Sequence, residues 1–192
     1  MKKLFRFWGV LLCSGVLLLM TASLAFGQDT SELVIAFLAE DPHSIDPQRT
    51  ISTGDWSMMD PLFPALVRLD EEAGDLLGGI ASSWEVSEDG LTTTFHLIEG
   101  IPWVRYNADT DEVEQVLDDD GNPRIVNAHD VVYGWQRAFA PDTGASAVFM
   151  VGPVVAGADA YNSGEGSIDD MAISAVDDFT FEVTAPEVLG FA

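Results

Sequence analysis

The stretch from Ala81 to Trp103, A-S-S-W-E-V-S-E-D-G-L-T-T-T-F-H-L-I-E-G-I-P-W, leaves the backbone little choice. Trp84 and Val86 alternate with polar neighbours before Glu88-Asp89-Gly90, and Leu91, Thr93, Phe95 and Leu97 alternate after it. A period of two on both sides of an Asp-Gly pair predicts a β-hairpin turning at Asp89-Gly90. Glycine accepts the positive φ that tight hairpin turns require, and the run of threonines suits a pleated, half-buried surface. Apolar periodicity of this kind marks burial, so the hairpin is expected to form the structural core.

The 192 residues include a leader that does not belong to that core. Met1-Lys2-Lys3-Leu4-Phe5-Arg6 is basic, Phe7 to Leu24 is apolar and uncharged, and Ala25-Phe26-Gly27 offers the small residues that a signal peptidase reads. Residues 1–27 are therefore expected to be a signal peptide, with Gln28 first in the mature chain. Retention of the apolar run as an N-terminal anchor is the alternative. In both cases the globular part is exported, to a periplasm or to the cell surface. Cys13 is the sole cysteine and lies inside the apolar run, preceded by Leu12, which is not the small residue a lipid-modified cysteine follows. The mature chain has no cysteine, hence no disulfide framework and no thiol nucleophile.

Loss of Lys2, Lys3 and Arg6 takes the net charge from −24 to −27 and leaves no lysine. Such a surface repels nucleic acid and anionic lipid, which excludes both as direct partners. In the mature chain, Leu33 to Leu38 reads as a buried strand. Ser44-Ile45-Asp46-Pro47 reads as a turn in which Asp46 bonds to the backbone ahead of it. Thr53 or Asp55 can cap a helix reaching Asp60, ahead of Pro61 and Pro64. Val67 to Asp70 predicts a short strand and turn before the hairpin, and Arg105 to Pro123 is an acidic surface excursion with a strand at Glu112 to Leu117. Asn127 with Asp130 makes a helix start, and Val131, Val132, Trp135, Ala138 and Phe139 build one apolar face up to Pro141. A looser helical run covers Ala145 to Tyr161, interrupted at Gly152-Pro153. Ile173 to Val183 predicts a closing hairpin about Asp177-Asp178.

The acidic excursion invites a calcium reading, but with Gly121 as the loop glycine the first ligand falls on Val116 and the closing acid on Asn127. The EF-hand pattern fails at both ends. His43, His96 and His129 lack a second ligand at zinc spacing, so no metal site is expected. No G-x-S-x-G, phosphate-cradling loop or nucleophile with a base is present, and no catalytic residue is assigned.

Ser44-Ile45-Asp46-Pro47, Leu66-Val67, Ile80 to Leu91, Phe95-His96-Leu97, Gly121-Asn122-Pro123, Ala128 to Tyr133 and Asp177 to Val183 follow one another along the chain. In that order they resemble the extracytoplasmic solute-binding proteins of family 5, the peptide-binding components of ABC importers. The resemblance implies a mixed α/β fold: the N-terminal part of a two-lobed periplasmic-binding-protein type II fold, incomplete, with residues 28–192 forming the N-terminal portion of lobe I and its attached subdomain. It implies a non-enzymatic, monomeric protein without cofactor that captures peptides for uptake and delivers them to membrane permease subunits. By matching position, the ligand-lining segment is Ile51, Ser52, Thr53 and Gly54, expected to pair with an extended peptide by main-chain hydrogen bonds. The apolar ending at Pro186 to Ala192, where the family continues into a second lobe, leads to the expectation that this chain alone binds at millimolar strength at best. Two other readings stay open on the residues alone: a secreted hydrolase with an unrecognised carboxylate pair, and a truncated remnant that binds nothing.

Overall fold

Two hairpins distant in sequence close into one sheet because each presents a complementary apolar face. The structure, a computed structural model, describes residues 41, 43–50 and 52–188. The expected leader at residues 1–27, the apolar run at 33–38 and Ile51 lie outside the described residues.

The first hairpin is β3 (Ala81–Val86) with β4 (Thr92–Leu97), preceded by β1 (Val67–Leu69) and β2 (Leu76–Gly78), which form a small hairpin of their own. The closing hairpin is β7 (Ile173–Asp177) with β8 (Thr180–Thr184). All four long strands are antiparallel, in the order β3-β4-β8-β7. Register places Trp84, Phe95, Phe181 and Ala175 in one row across the sheet. The adjacent row, Glu85, Thr94, Glu182 and Ser174, falls on the opposite face because side chains alternate along a strand. That face is polar: Thr94 Oγ1 donates to Glu182 Oε1 at 3.2 Å, and the Thr92 and Thr184 hydroxyls bond at 2.9 Å.

The helix that covers the apolar face is flanked by shorter ones: α1 (Thr53–Met59) near the start, α2 (Ala128–Phe139) over the sheet, α3 (Val148–Val151) and α4 (Ala158–Ser163). Trp135 of α2 stands 5.8 Å from the Phe181 ring and 6.4 Å from Phe139, and Phe95 and Phe181 are 6.1 Å apart. Phe139 and Phe181 are both 0% exposed. The start of α2 is the expected capping box: Asn127 Oδ1 accepts from the His129 and Asp130 amides, and Asp130 Oδ2 accepts from the Asn127 amide.

Two expectations need correction. The core is shared and not confined to the first hairpin: Ala81 and Leu97 of that hairpin are buried together with Phe181 of β8 and Phe139 of α2, while on the edge strand β3 Trp84 is half-buried and Val86 is 50% exposed. Leu91 lies in the turn, which spans Ser87 to Leu91 and is tied by Asp89 Oδ1 accepting from Ser87 Oγ and the Leu91 amide; Gly90 has φ 74° there. The looser helical run from Ala145 to Tyr161 is interrupted at Gly152-Pro153 as expected. Gly152–Val154 is a 3₁₀ turn, and Gly157 has φ 82° with its α-carbon so close to Asp170 that a Cβ would stand 2.1 Å from the carbonyl oxygen.

The acidic excursion forms a separate hairpin, β5 (Val104–Asn107) with β6 (Glu112–Gln115). Of the strand expected at Glu112 to Leu117, Glu112–Gln115 is observed, with β5 as a partner that periodicity did not reveal. One carboxylate fastens the excursion to the main body. Asp130 accepts from Trp103 Nε1 at 3.0 Å and from Arg124 Nη2 at 2.6 Å, while the Arg124 guanidinium sits 5.2 Å from the Trp103 ring.

Candidate functional site

The loop from His43 to Asp55 carries the residues to which the sequence assigns ligand contact, and polar bonds hold it at both ends. At its start Asp46 forms the expected turn: its amide donates to Ser44 Oγ, and Asp46 Oδ1 accepts from the Gln48 amide at 3.1 Å. Arg137, in the last turn of α2, grips the same carboxylate with both terminal nitrogens, Nη1 to Oδ1 at 3.1 Å and Nη2 to Oδ2. Arg137 also donates to Gln48 Oε1, and Gln48 Nε2 donates to the Gly134 carbonyl at 2.8 Å. A fork-to-carboxylate pair of this kind fixes direction as well as distance. The Arg137 hydrogen bonds hold the Asp46 carboxyl below its ordinary pKa against a smaller opposing effect of burial, and Asp46 raises that of Arg137.

At the far end stand the two buried polar residues among those described, Thr50 at 4% and Asp55 at 2% exposure. Thr50 Oγ1 donates to Asp55 Oδ2, the His43 amide donates to Asp55 Oδ1 at 3.0 Å, and the Ser52 amide donates to Thr50 Oγ1 at 3.2 Å. The Thr50 hydroxyl is the main cause of a lowered Asp55 pKa, with desolvation opposing it. His43 Nδ1 lies 3.6 Å from the same carboxylate.

Between these anchors lies the predicted segment. Ile51 is outside the described residues. Ser52 is extended, with φ −72° and ψ 134°, and precedes α1, whose first residues are Thr53 and Gly54. Ser52 and not Thr53 or Asp55 is therefore the N-cap, and its side chain makes no capping bond. The S-x-x-D spacing would let Asp55 reach back to the Ser52 amide, but Asp55 turns to His43 and Thr50 instead. The Ser52 amide goes to Thr50 Oγ1 and its carbonyl accepts from the Trp56 amide at 3.0 Å. Both main-chain groups of Ser52 are engaged and Thr53 and Gly54 are helical, so these three residues do not form an extended edge.

One turn along α1, Trp56 lines an apolar groove of about 590 Å³ whose other walls include Leu66, Phe95, Val131 and Trp135. Gln48 borders it, so the clamp on Asp46 and the groove share a wall. The site thus combines a polar-pinned segment with an apolar trough, a combination suited to holding a ligand that carries both polar and apolar groups. The signals for Asp46 and Asn127 were local. The partnerships of Arg137, Thr50 and Asp55 were missed, since Arg137 is 91 residues from Asp46 and Asp55 had the look of a helix cap. Among the described residues, no group of three His, Cys, Asp or Glu side chains is placed to hold a metal ion, and no helix is long and apolar enough to cross a membrane.

Residues 75–190 match the family model described as bacterial extracellular solute-binding proteins, family 5 middle. The chain is 32% identical to the dipeptide-binding protein DppE of Bacillus subtilis over 196 positions, covering 96% of this chain and 33% of DppE. It is 33% identical to the periplasmic oligopeptide-binding protein OppA of Salmonella typhimurium over 145 residues, 75% of this chain and 23% of OppA. Among solved structures, Haemophilus influenzae OppA in complex with the peptide RPPGFSPFR superposes with a TM-score of 0.63 at 32% identity, over 79% of this chain and 26% of that one. The murein tripeptide binding protein MppA of Escherichia coli gives 0.64 at 28%, over 81% and 27%. The chain spans a third or less of the length of these relatives.

Proposed function

The chain belongs to the family 5 bacterial extracellular solute-binding proteins, whose relatives named above are binding proteins and not enzymes, and from that premise we propose that it serves peptide capture for an ABC importer. The observation that carries this reading is the loop from His43 to Asp55, held rigid at both ends beside an apolar groove within the fold shared with a peptide-loaded relative. Ser52, Thr53 and Gly54, with Ile51, form one edge of the ligand site. The groove beside Trp56 suits an apolar side chain, and the Ser52 and Thr53 hydroxyls suit polar atoms of the ligand. The acidic surface keeps nucleic acid and anionic lipid away and leaves the monomer soluble outside the cytoplasm, where permease subunits in the membrane receive the peptide. Residues 1–27 act as the export signal, and residues 28–192 form the N-terminal portion of lobe I with its subdomain.

A titration of the ¹⁵N-labelled mature chain with trialanine tests the reading. The amide signals of Ser52, Thr53 and Gly54 are expected to move along saturating curves with a Kd in the millimolar range, since one edge of a site supplies a few hydrogen bonds of roughly 0.5–1.5 kcal/mol each against the cost of association. Signals that move only on the polar sheet face, around Thr94 and Glu182, would sink this assignment of the site.

A further inference from the structure

Thr50 and Asp55 are buried, and the Asp55 carboxylate is met by the His43 amide, the Thr50 hydroxyl and, at 3.6 Å, the His43 ring. A buried carboxylate is weak as a source of stability, because the cost of desolvating it offsets what its bonds return. Its hydrogen bonds do, however, select one backbone path. Asp55 accepts from the His43 amide and the Thr50 hydroxyl, and that hydroxyl in turn accepts from the Ser52 amide. The chain from residue 43 to residue 55 is thereby closed into a ring through side-chain atoms. The ring uses the Ser52 amide internally, and the first turn of α1 uses the Ser52 carbonyl, so this residue's main chain is spent within the protein. The Ser52 side chain makes no capping bond in return.

We infer that Thr50 and Asp55 are positioning residues of the ligand site: the Thr50 hydroxyl bridges Asp55 and the Ser52 amide, which turns recognition at this edge from main-chain pairing to the Ser52 side-chain hydroxyl. The inference rests on the assignment of Ser52 to Gly54 as ligand-contacting. Thr50 has the central part because it is both donor and acceptor in the ring, a role that serine reproduces and valine, of the same shape, does not.

The test combines amide hydrogen exchange without ligand and the trialanine titration, on wild type, Thr50→Val and Thr50→Ser of the mature chain. Thr50→Val should speed exchange at the Ser52 amide by about tenfold, the effect of losing one hydrogen bond, with β4 and β8 amides unchanged, and should abolish the response of Ser52 to trialanine. Thr50→Ser should restore both. Unchanged exchange at Ser52 in Thr50→Val overturns the inference, and so does a rise of equal size throughout the sheet, which would make Thr50 a residue of general stability. A wild-type chain whose Ser52 to Gly54 signals ignore trialanine overturns the site assignment itself. A wild type and a Thr50→Val variant that respond equally overturn the positioning role alone. Should Thr50→Val not fold, Thr50→Ala, which removes the same hydroxyl without placing a methyl group against the Asp55 carboxylate, is read by the same two measurements and the same outcomes.

Discussion

The sheet with α2 and the loop from His43 to Asp55 solve the same problem, holding a backbone in one place, by opposite means. In the sheet, Phe95, Phe181, Trp135 and Phe139 stack across sequence-distant elements, and no directional bond between their side chains is needed. In the loop, two carboxylates, one guanidinium, one side-chain amide and two hydroxyls fix a short path at each end. Apolar packing supplies stability in proportion to area and tolerates small shifts, whereas hydrogen bonds supply little net stability and specify direction. On the proposed assignment of Ser52 to the ligand site, the second kind of restraint stands where the ligand would be met, and the first kind behind it.

The largest effect that can break this comparison is at Phe181. Truncation to alanine in Phe181→Ala removes the ring on which Phe95 and Trp135 both pack and should cost about 3–5 kcal/mol in urea denaturation. Trp84→Ala, on the edge strand, should cost about 1–2 kcal/mol. Equal losses would place the core back on the first hairpin and remove the distinction between a packed centre and its margins.

Next in size is Gly157, which joins the 3₁₀ turn at Gly152–Val154 to α4. Its φ of 82° disfavours any side chain, and a Cβ would meet the Asp170 carbonyl at 2.1 Å. Gly157→Ala should therefore lose about 1–3 kcal/mol, read from the same denaturation curves. This position belongs to the packed region, so the variant should leave the trialanine response of Ser52 to Gly54 in place. Loss of that response at unchanged fold would show that the two regions are coupled.

What was legible in the sequence divides along the same line. The β3–β4 hairpin, the Asp46-Pro47 turn and the Asn127–Asp130 capping box are each encoded within a few residues, and local spacing sufficed to find them. The placement of β8 between β4 and β7 was not legible, since antiparallel pairing of Phe95 with Phe181 is a contact across more than eighty positions that no period reveals. The fold class followed from the resemblance of ordered motifs, which the match over residues 75–190 shows. At the candidate site, the segment was assigned by matching position alone. Its conformation was not, because a serine at the N-cap reads the same as a threonine one residue later, and because Asp55 has two plausible bonding directions of which burial selects the inward one.

The smallest effect, and the sharpest test of the loop's polar character, is the pH dependence of the Asp46–Arg137 pair. Arg137→Gln should cost about 1 kcal/mol at pH 7, a modest amount because the guanidinium is partly exposed to solvent. Asp46 has its folded pKa held below the ordinary value of 3.8, chiefly by the hydrogen bonds from Arg137. The unfolded chain therefore binds a proton first as pH falls, and the pair's contribution is fully present above the unfolded pKa and is lost as pH falls through the depressed folded value. Urea denaturation of wild type and Arg137→Gln between pH 7 and pH 2.5 should give curves that differ at neutral pH and converge in the acid range. Asp46→Asn should behave like Arg137→Gln at neutral pH and show no convergence of its own with the Arg137→Gln, Asp46→Asn double variant, since neither retains the titrating group. A difference between wild type and Arg137→Gln that persists undiminished at pH 2.5 would mean that Arg137 holds the loop through packing of its stem and its bond to Gln48, and that the contrast between an apolar centre and a charge-pinned edge is drawn in the wrong place.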